Sequence, residues 1–197
     1  DHLIEILLPI RDTPTGYTFT GFRGLASHGA VIGSLIGLYL YKRKFKFKPL
    51  LWIIDRVIIP VSIGASFVRI GNFFNSEIVG KYSGSNFGVV FLNRGENAAR
   101  HPAQLYEALG YLVLFFILKQ VYKTNKKDKP GYLLGVFFTC MFVIRFFVEY
   151  LKESQGGFEE YLPLLSTGQW LSIPFVLCGV YFMVQSYKKT YNSDPLS

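Results

Sequence analysis

The stretch Ser66-Phe67-Val68-Arg69-Ile70-Gly71-Asn72-Phe73-Phe74-Asn75-Ser76-Glu77-Ile78-Val79-Gly80 decides how this chain is read. It closes an apolar run that begins at Leu50, yet its one cation, Arg69, is not accompanied by the Trp or Tyr of an ordinary membrane exit. Arg69, Asn72, Asn75 and Glu77 instead alternate with Ile70, Phe73, Phe74 and Ile78. If the helix of the apolar run continues through Arg69, Asn72 falls at i+3 and shares its face. Gly71 and Gly80 permit a bend or close packing there. A cation, two amides and a carboxylate are thus gathered where apolar sequence stops. A capped turn at a membrane boundary is the plainer alternative, and composition leaves it open.

Composition sets the frame. Of 197 residues, 50% are hydrophobic and 17% aromatic, and the mean hydropathy is +0.28. Only 17% are charged, below the roughly 25% usual in soluble domains. These values point to an all-α polytopic membrane protein. The net charge of +8 does not indicate a nucleic-acid partner, because most of the lysines sit in short runs beside apolar segments. Cys140 and Cys178 lie inside apolar stretches and read as small packing residues. The chain opens at Asp1-His2 without a signal peptide, so earlier sequence is expected upstream.

Five spans are expected: Leu25 to Tyr41, Leu50 to Val68, Leu105 to Tyr122, Tyr132 to Tyr150 and Trp170 to Tyr187. Residues 1–24, rich in Pro and Gly, read as a non-spanning loop with a short interfacial piece at Ile4 to Ile10. Residues 25–187 form one transmembrane domain with polar connections at 71–102 and 152–167, and residues 188–197 form a tail. In the first span Gly29, Gly33 and Gly37 make a stripe for close helix approach. Asp55 and Arg56 in the second span read as a structural pair and anchor. Phe87 to Leu92 reads as a short strand, and Pro102 as a helix start.

Basic residues fix the orientation. Lys42, Arg43, Lys44, Lys46 and Lys48 fill one connection. Lys123, Lys126, Lys127 and Lys129 fill another, and Lys188 and Lys189 end the last span. These segments alternate correctly for the cytoplasmic side, so residues 1–24, 71–102 and 152–167 face outward. On this topology His28, Arg69, Asn72, His101, Gln104, Glu107, Arg145, Glu149 and Gln169 all fall toward the outer leaflet. Scattered helix-end polarity does not segregate this way, and a site near the outer leaflet follows.

The residue types at that level suit an anionic lipid headgroup. Arg69 and Arg145, from separate spans, can hold one phosphate with planar two-point donors. Arg145 and Glu149, at i and i+4, can also simply pair with each other. His28 has the ordinary pKa of a general base at neutral pH, although a histidine at a helix end also serves as a cap. His101 reads as ordering the loop before Pro102. The His and carboxylate spacings match no metal-ligand template, and no cofactor is called for.

Arg69-x-Gly71-Asn72-Phe73-x-Asn75-x-Glu77-x-x-Gly80 resembles the signature of the prolipoprotein diacylglyceryl transferase family, with seven matches in twelve positions and Val68 where the family usually has Gly. Ser27-His28-Gly29-Ala30 resembles its S/F-H-G-G element, with Ala30 for the second Gly. His101-Pro102-Ala103-Gln104-Leu105-Tyr106-Glu107 resembles H-P-S-Q-L-Y-E, with Ala103 for Ser. Arg145-x-x-x-Glu149 and Gly168-Gln169-x-Leu171-Ser172-x-Pro174 follow in the family's order.

The resemblance implies seven spans in the full-length family. It also implies a multi-pass enzyme of the bacterial cytoplasmic (inner) membrane, whose partners are phosphatidylglycerol, surrounding membrane lipids and prolipoprotein signal peptides with a lipobox cysteine. The implied reaction moves a diacylglyceryl group to that cysteine thiol, the first step of lipoprotein maturation. His28, Arg69 and Arg145 are then the expected catalytic residues, and Asn72, Asn75, Glu77, Gln104, Glu149 and Gly80 the expected substrate-binding ones. The alternative is a transporter or flippase that grips an anionic headgroup with the same arginines. It requires polar residues along a path to the inner side, where Asp55 and Arg56 are the main ones. A structural or assembly subunit would not require so many polar groups at one depth.

Overall fold

The computed structural model describes residues 10–13, 16–19, 27–45, 49–85, 87–153 and 164–187, with side chains described from Ile32 onward. In chain order the elements are β1 (Ile10–Thr13), β2 (Gly16–Phe19), α1 (Ser27–Phe45), α2 (Leu50–Phe74), α3 (Ala103–Tyr122), α4 (Tyr132–Glu149) and α5 (Thr167–Ser186). The chain divides into two compact units, Asp1–Leu50 and Leu51–Ser197.

In the first unit β1 and β2 form an antiparallel hairpin in the register Ile10 with Phe19 and Thr13 with Gly16. The Pro and Gly content of this region reads as a loop, but two of its runs, rich in β-branched and aromatic residues, pair as strands. Helix α1 continues through Lys42, Arg43 and Lys44, which occupy its last turn. Cations there complement the carbonyl end of the helix dipole.

In the second unit four helices are long and apolar enough to cross a membrane: α2, α3, α4 and α5. The chain is therefore a multi-pass membrane protein of helical class. Large apolar side chains point outward along these helices, among them Phe67, Phe116, Phe147 and Leu177, as expected where lipid replaces water. The helices alternate in direction, so one end of the bundle gathers the end of α2, the start of α3, the end of α4 and the start of α5.

Small residues bring α4 and α5 together. A methyl at Gly135 would lie 2.6 Å from the Gly179 carbonyl oxygen, and one at Gly179 would lie 2.5 Å from Thr139 Oγ1. Such contact replaces hydrophobic burial as the packing force in lipid. Ile58, Leu114, Leu118, Leu133, Val136 and Phe137 form the adjoining core. At the opposite end, where α4 starts, Asp55, fully buried, accepts hydrogen bonds from the Gly131 amide at 2.7 Å and the Leu134 amide at 2.9 Å. It thereby caps α4 from a neighbouring helix and satisfies two of its free donors. Arg56 turns away, stacking 3.5 Å over Trp52 and donating to the Trp52 carbonyl.

The 71–102 connection carries a small network of paired backbone. Gly80 and Lys81 pair with His101 on one side and with Leu151 on the other, and Val89 pairs with Arg100. The expected strand at Phe87 to Leu92 is reduced to the single bridge at Val89.

Candidate active site

Helix α2 does not stop at Val68 but runs to Phe74, which carries Arg69 and Asn72 on its final turns. Ser66, one turn earlier, donates to the Ala108 carbonyl at 2.7 Å. That bond fixes the crossing of α2 and α3 beside the next pair of residues. Arg69 Nε lies 2.9 Å from Glu107 Oε2, with Glu107 wholly buried and Arg69 slightly open. The approach is off the hydrogen-bond direction, and Oε2 has no hydrogen bond. Glu107 Oε1 accepts from Lys152 Nζ at 2.8 Å, and Lys152 Nζ also lies 3.3 Å from Glu149 Oε2. Four charged side chains thus form one chain: Arg69, Glu107, Lys152 and Glu149.

Tyr111, buried one turn beyond Glu107, stands within the electrostatic reach of Glu107, Arg69 and Arg145. The Arg145 Nε atom is buried and has no hydrogen-bond partner. Among the described residues no Arg145–Glu149 ion pair forms; Glu149 turns to Lys152 instead. Three cations, Arg69, Arg145 and Lys152, and two carboxylates, Glu107 and Glu149, belong to this end of the bundle. One positive charge is left over, and the buried Arg145 Nε has an unused hydrogen-bond donor. Buried polar groups are normally satisfied, so an arrangement of this kind suits an incoming anion.

Gln104 is buried, and its Nε2 donates to the Glu77 carbonyl at 2.6 Å while its Oε1 has no partner. The turn that presents Glu77 is strained. Ser76 and Ile78 hold φ of 56° and 53°, a region L residues rarely adopt. A β-branched residue there costs about 1–3 kcal/mol and persists only where surroundings enforce it. The side chains of Asn75 and Glu77 are exposed, and Asn72 is half-buried. Gly80 packs against the His101 backbone, with no room for a side chain, so its place is in the paired backbone of the loop. His101 Nδ1 lies 3.4 Å from the Tyr106 hydroxyl. His28 lies in the first turn of α1, within the first unit, and its side chain is outside the described residues.

Beside this cluster the loop is tied down by charge. Arg100, almost fully buried, pairs with Glu96 and reaches Glu153 Oε1 at 3.2 Å, and its Nη1 donates to the Gly80 carbonyl. Arg94 reaches Glu96 at 3.1 Å and Glu153 at 3.3 Å. The Arg100 hydrogen bond holds the Glu96 carboxyl below its ordinary pKa, and Glu96 in turn holds the Arg100 guanidinium above its own.

The sequence profile described as "Prolipoprotein diacylglyceryl transferase" matches residues 5–185. The chain belongs to that family. It is 44% identical over 191 residues to a Bacteroides fragilis protein named phosphatidylglycerol–prolipoprotein diacylglyceryl transferase, covering 96% of this chain and 68% of that one. A Tolumonas auensis protein of the same name is 44% identical over 166 residues, covering 84% of this chain and 64% of its own length. One from Chlamydia trachomatis is 39% identical over 162 residues, covering 80% and 60%. The chain thus spans about two thirds of the length of these relatives.

Against that family background, the structure brings Arg69, Arg145 and Glu149 to one end of the bundle, with Gln104 alongside. It adds two residues that sequence reasoning did not place in the site, Lys152 and Tyr111, and gives a defined partner to Glu107, which the sequence placed among the outward polar residues without a role. Lys152 reads in sequence as the first residue of a polar connection. Lys152 carries one usable signal. It is a lysine three residues after Glu149, at the end of the bundle where lysine is otherwise scarce.

Proposed function

We propose that this protein transfers the diacylglyceryl group of phosphatidylglycerol to the lipobox cysteine thiol of prolipoproteins, at the outer leaflet of the bacterial cytoplasmic membrane. The observation that carries the reading is a surplus cation: the Arg69–Glu107–Lys152–Glu149 chain balances two cations against two carboxylates, and Arg145, with an unpartnered Nε, adds a third cation. Family membership supplies the reaction, and the charge arrangement supplies a place for its phosphate.

The cysteine sulfur attacks the glyceryl carbon that bears the phosphate ester. A carbon–sulfur bond forms and the carbon–oxygen bond to phosphate breaks, with its electron pair leaving on glycerol phosphate. The thiol proton passes to a base, for which His28 is the candidate. Charge grows on the departing phosphate as the bond lengthens, so Arg69 and Arg145 bind the transition state more tightly than the substrate. Glu107 and Lys152 hold Arg69 in place. Gln104 and the strained Glu77 turn support the same end, with Asn72, Asn75 and Glu149 positioned to orient the headgroup. Since the thiol belongs to the substrate, no nucleophile is required of this chain.

The test is product formation. Full-length protein in phosphatidylglycerol vesicles, given a lipobox peptide and radiolabelled lipid, is expected to place label on the peptide and to release glycerol phosphate. Movement of lipid between leaflets without labelled peptide would overturn the transferase in favour of a flippase.

A further inference from the structure

We infer that Gly168 is a positioning residue for this reaction: its missing side chain is what allows the Glu149 carboxylate to complete the chain of charges that ends at Arg69. The inference rests on the reading of that chain as the phosphate site. Gly168 lies in the first turn of α5, directly against the Glu149 carboxylate. A methyl at 168 would sit 2.7 Å from Glu149 Oε2 and closer still to Cδ and Oε1.

The backbone at 168 has little freedom to retreat. Ser166 and Gln169 close a reciprocal capping box at this terminus. Gln169 Nε2 donates to the Phe146 carbonyl of α4 at 3.2 Å, and Ser172 Oγ donates to the Gly168 carbonyl at 2.6 Å. Gln169 and Ser172 are buried. Three of these four bonds lock the turn on itself, and the fourth ties it to the helix that carries Glu149. The far end of the Glu149 side chain is the softer partner in the contact. A methyl therefore displaces the carboxylate and not the helix.

Displacement has a defined consequence. Glu149 Oε2 is 3.3 Å from Lys152 Nζ, and that ammonium also holds Glu107, which faces Arg69. Moving the carboxylate leaves Lys152 paired with Glu107 alone and changes the setting of Arg69. Alanine is also a better helix former than glycine. The substitution is thus expected to leave the fold intact while lowering turnover, a combination that a merely structural glycine does not give.

The experiment compares full-length wild type, Gly168→Ala, Glu149→Asp and the double variant in the peptide-labelling assay, with thermal unfolding in detergent alongside. Gly168→Ala is expected to unfold at or above the wild-type temperature, with kcat lowered about tenfold to a hundredfold by misplacement of the site. Shortening the acid by one methylene makes room for the methyl, so the double variant is expected to recover several-fold over Gly168→Ala, although Glu149→Asp alone lowers activity. Should Gly168→Ala fail to fold, recovery of folded, active protein in the double variant supports the inference, and its absence overturns it. Wild-type kcat in a folded Gly168→Ala, or a loss that Glu149→Asp does not relieve, also overturns it while leaving the transferase reading intact. A wild type that labels no peptide removes both.

Discussion

Arg69 Nε, at the end of α2, lies 2.9 Å from Oε2 of Glu107 on α3, a carboxylate with no solvent exposure. The pair joins the central sequence motif to a helix 38 residues further on, counting from 69 to 107. A buried arginine beside one carboxylate would be neutralised and unavailable. Here the same carboxylate also accepts from Lys152, so Arg69 keeps capacity for a second anion.

Arg69→Ala in full-length protein is expected to insert and fold but to lose transfer to a lipobox peptide by about 10²–10³, the usual effect of removing one donor aimed at developing charge. Asn72→Ala is expected to lose less, since Asn72 is half-buried and carries no charge. A well-inserted Arg69→Ala protein with wild-type turnover would falsify the phosphate clamp.

Arg145→Lys is expected to lower turnover although the charge is retained. The buried Nε of Arg145 has an open donor, and a guanidinium makes a planar two-point fit to phosphate that an ammonium lacks. The discriminating measurement is kcat and KM for phosphatidylglycerol. Unchanged values for the lysine variant would reduce Arg145 to a point charge.

The helices were legible because lipid demands long apolar runs, and such runs survive in any single sequence. Arg69, Gln104, Arg145 and Glu149 were legible as well, because polar residues concentrated at one depth stand out against Leu, Ile and Phe. Their partners were not. Glu107 and Lys152 meet across 45 positions, and nothing in either neighbourhood states that separation. The Arg145–Glu149 pair, the plainer alternative that spacing allowed, shows the difficulty from the other side. Spacing of i and i+4 permits a contact, but a competing lysine at i+3 from Glu149 takes the carboxylate. The end of α2 was placed too early because Arg69 and Gly71 look like a stop in sequence, whereas the helix passes through both to Phe74.

Asp55→Ala is expected to act on stability and not on chemistry. The carboxylate caps α4 through the Gly131 and Leu134 amides, and losing such a cap costs about 0.5–2 kcal/mol. Thermal unfolding in detergent should fall, while transfer per folded molecule stays at the wild-type level. A selective loss of transfer in fully stable protein would move Asp55 into the reaction.

Acid should loosen the loop before it reaches the helices. Arg100, and less strongly Arg94, hold the folded Glu96 carboxyl below its unfolded value. A pKa depressed in the folded state stabilises above the unfolded value, and that contribution disappears as pH falls through the folded value. Amide protection at residues 87–101, taken as exchange relative to the intrinsic rate at each pH, is therefore expected to be flat from about pH 5 to 8 and to fall only below about pH 4. Glu96→Gln should lower it throughout that range. Loss of protection in wild type near neutrality would show that the Glu96 clamp does not hold the loop.

Lys152 provides the sharpest separation of charge balance from chemistry. Its ammonium is almost wholly buried, 2.8 Å from Glu107 and 3.3 Å from Glu149. Removing one partner from a buried ionic group typically costs about 3–5 kcal/mol, because the remaining charge is left without compensation. Lys152→Met leaves Glu107 and Glu149 without the ammonium that joins them, and a clear fall in unfolding temperature is expected. Glu107→Gln in the same protein removes the buried carboxylate that the lost ammonium compensated and should restore most of that stability. Transfer should not return with it, because Arg69 then lacks the carboxylate that holds it. Lys152→Arg keeps the charge and is expected to retain stability and the larger part of turnover. If Lys152→Met unfolds at the wild-type temperature, the four residues do not act as one electrostatic unit, and the surplus cation assigned to the phosphate must be sought elsewhere.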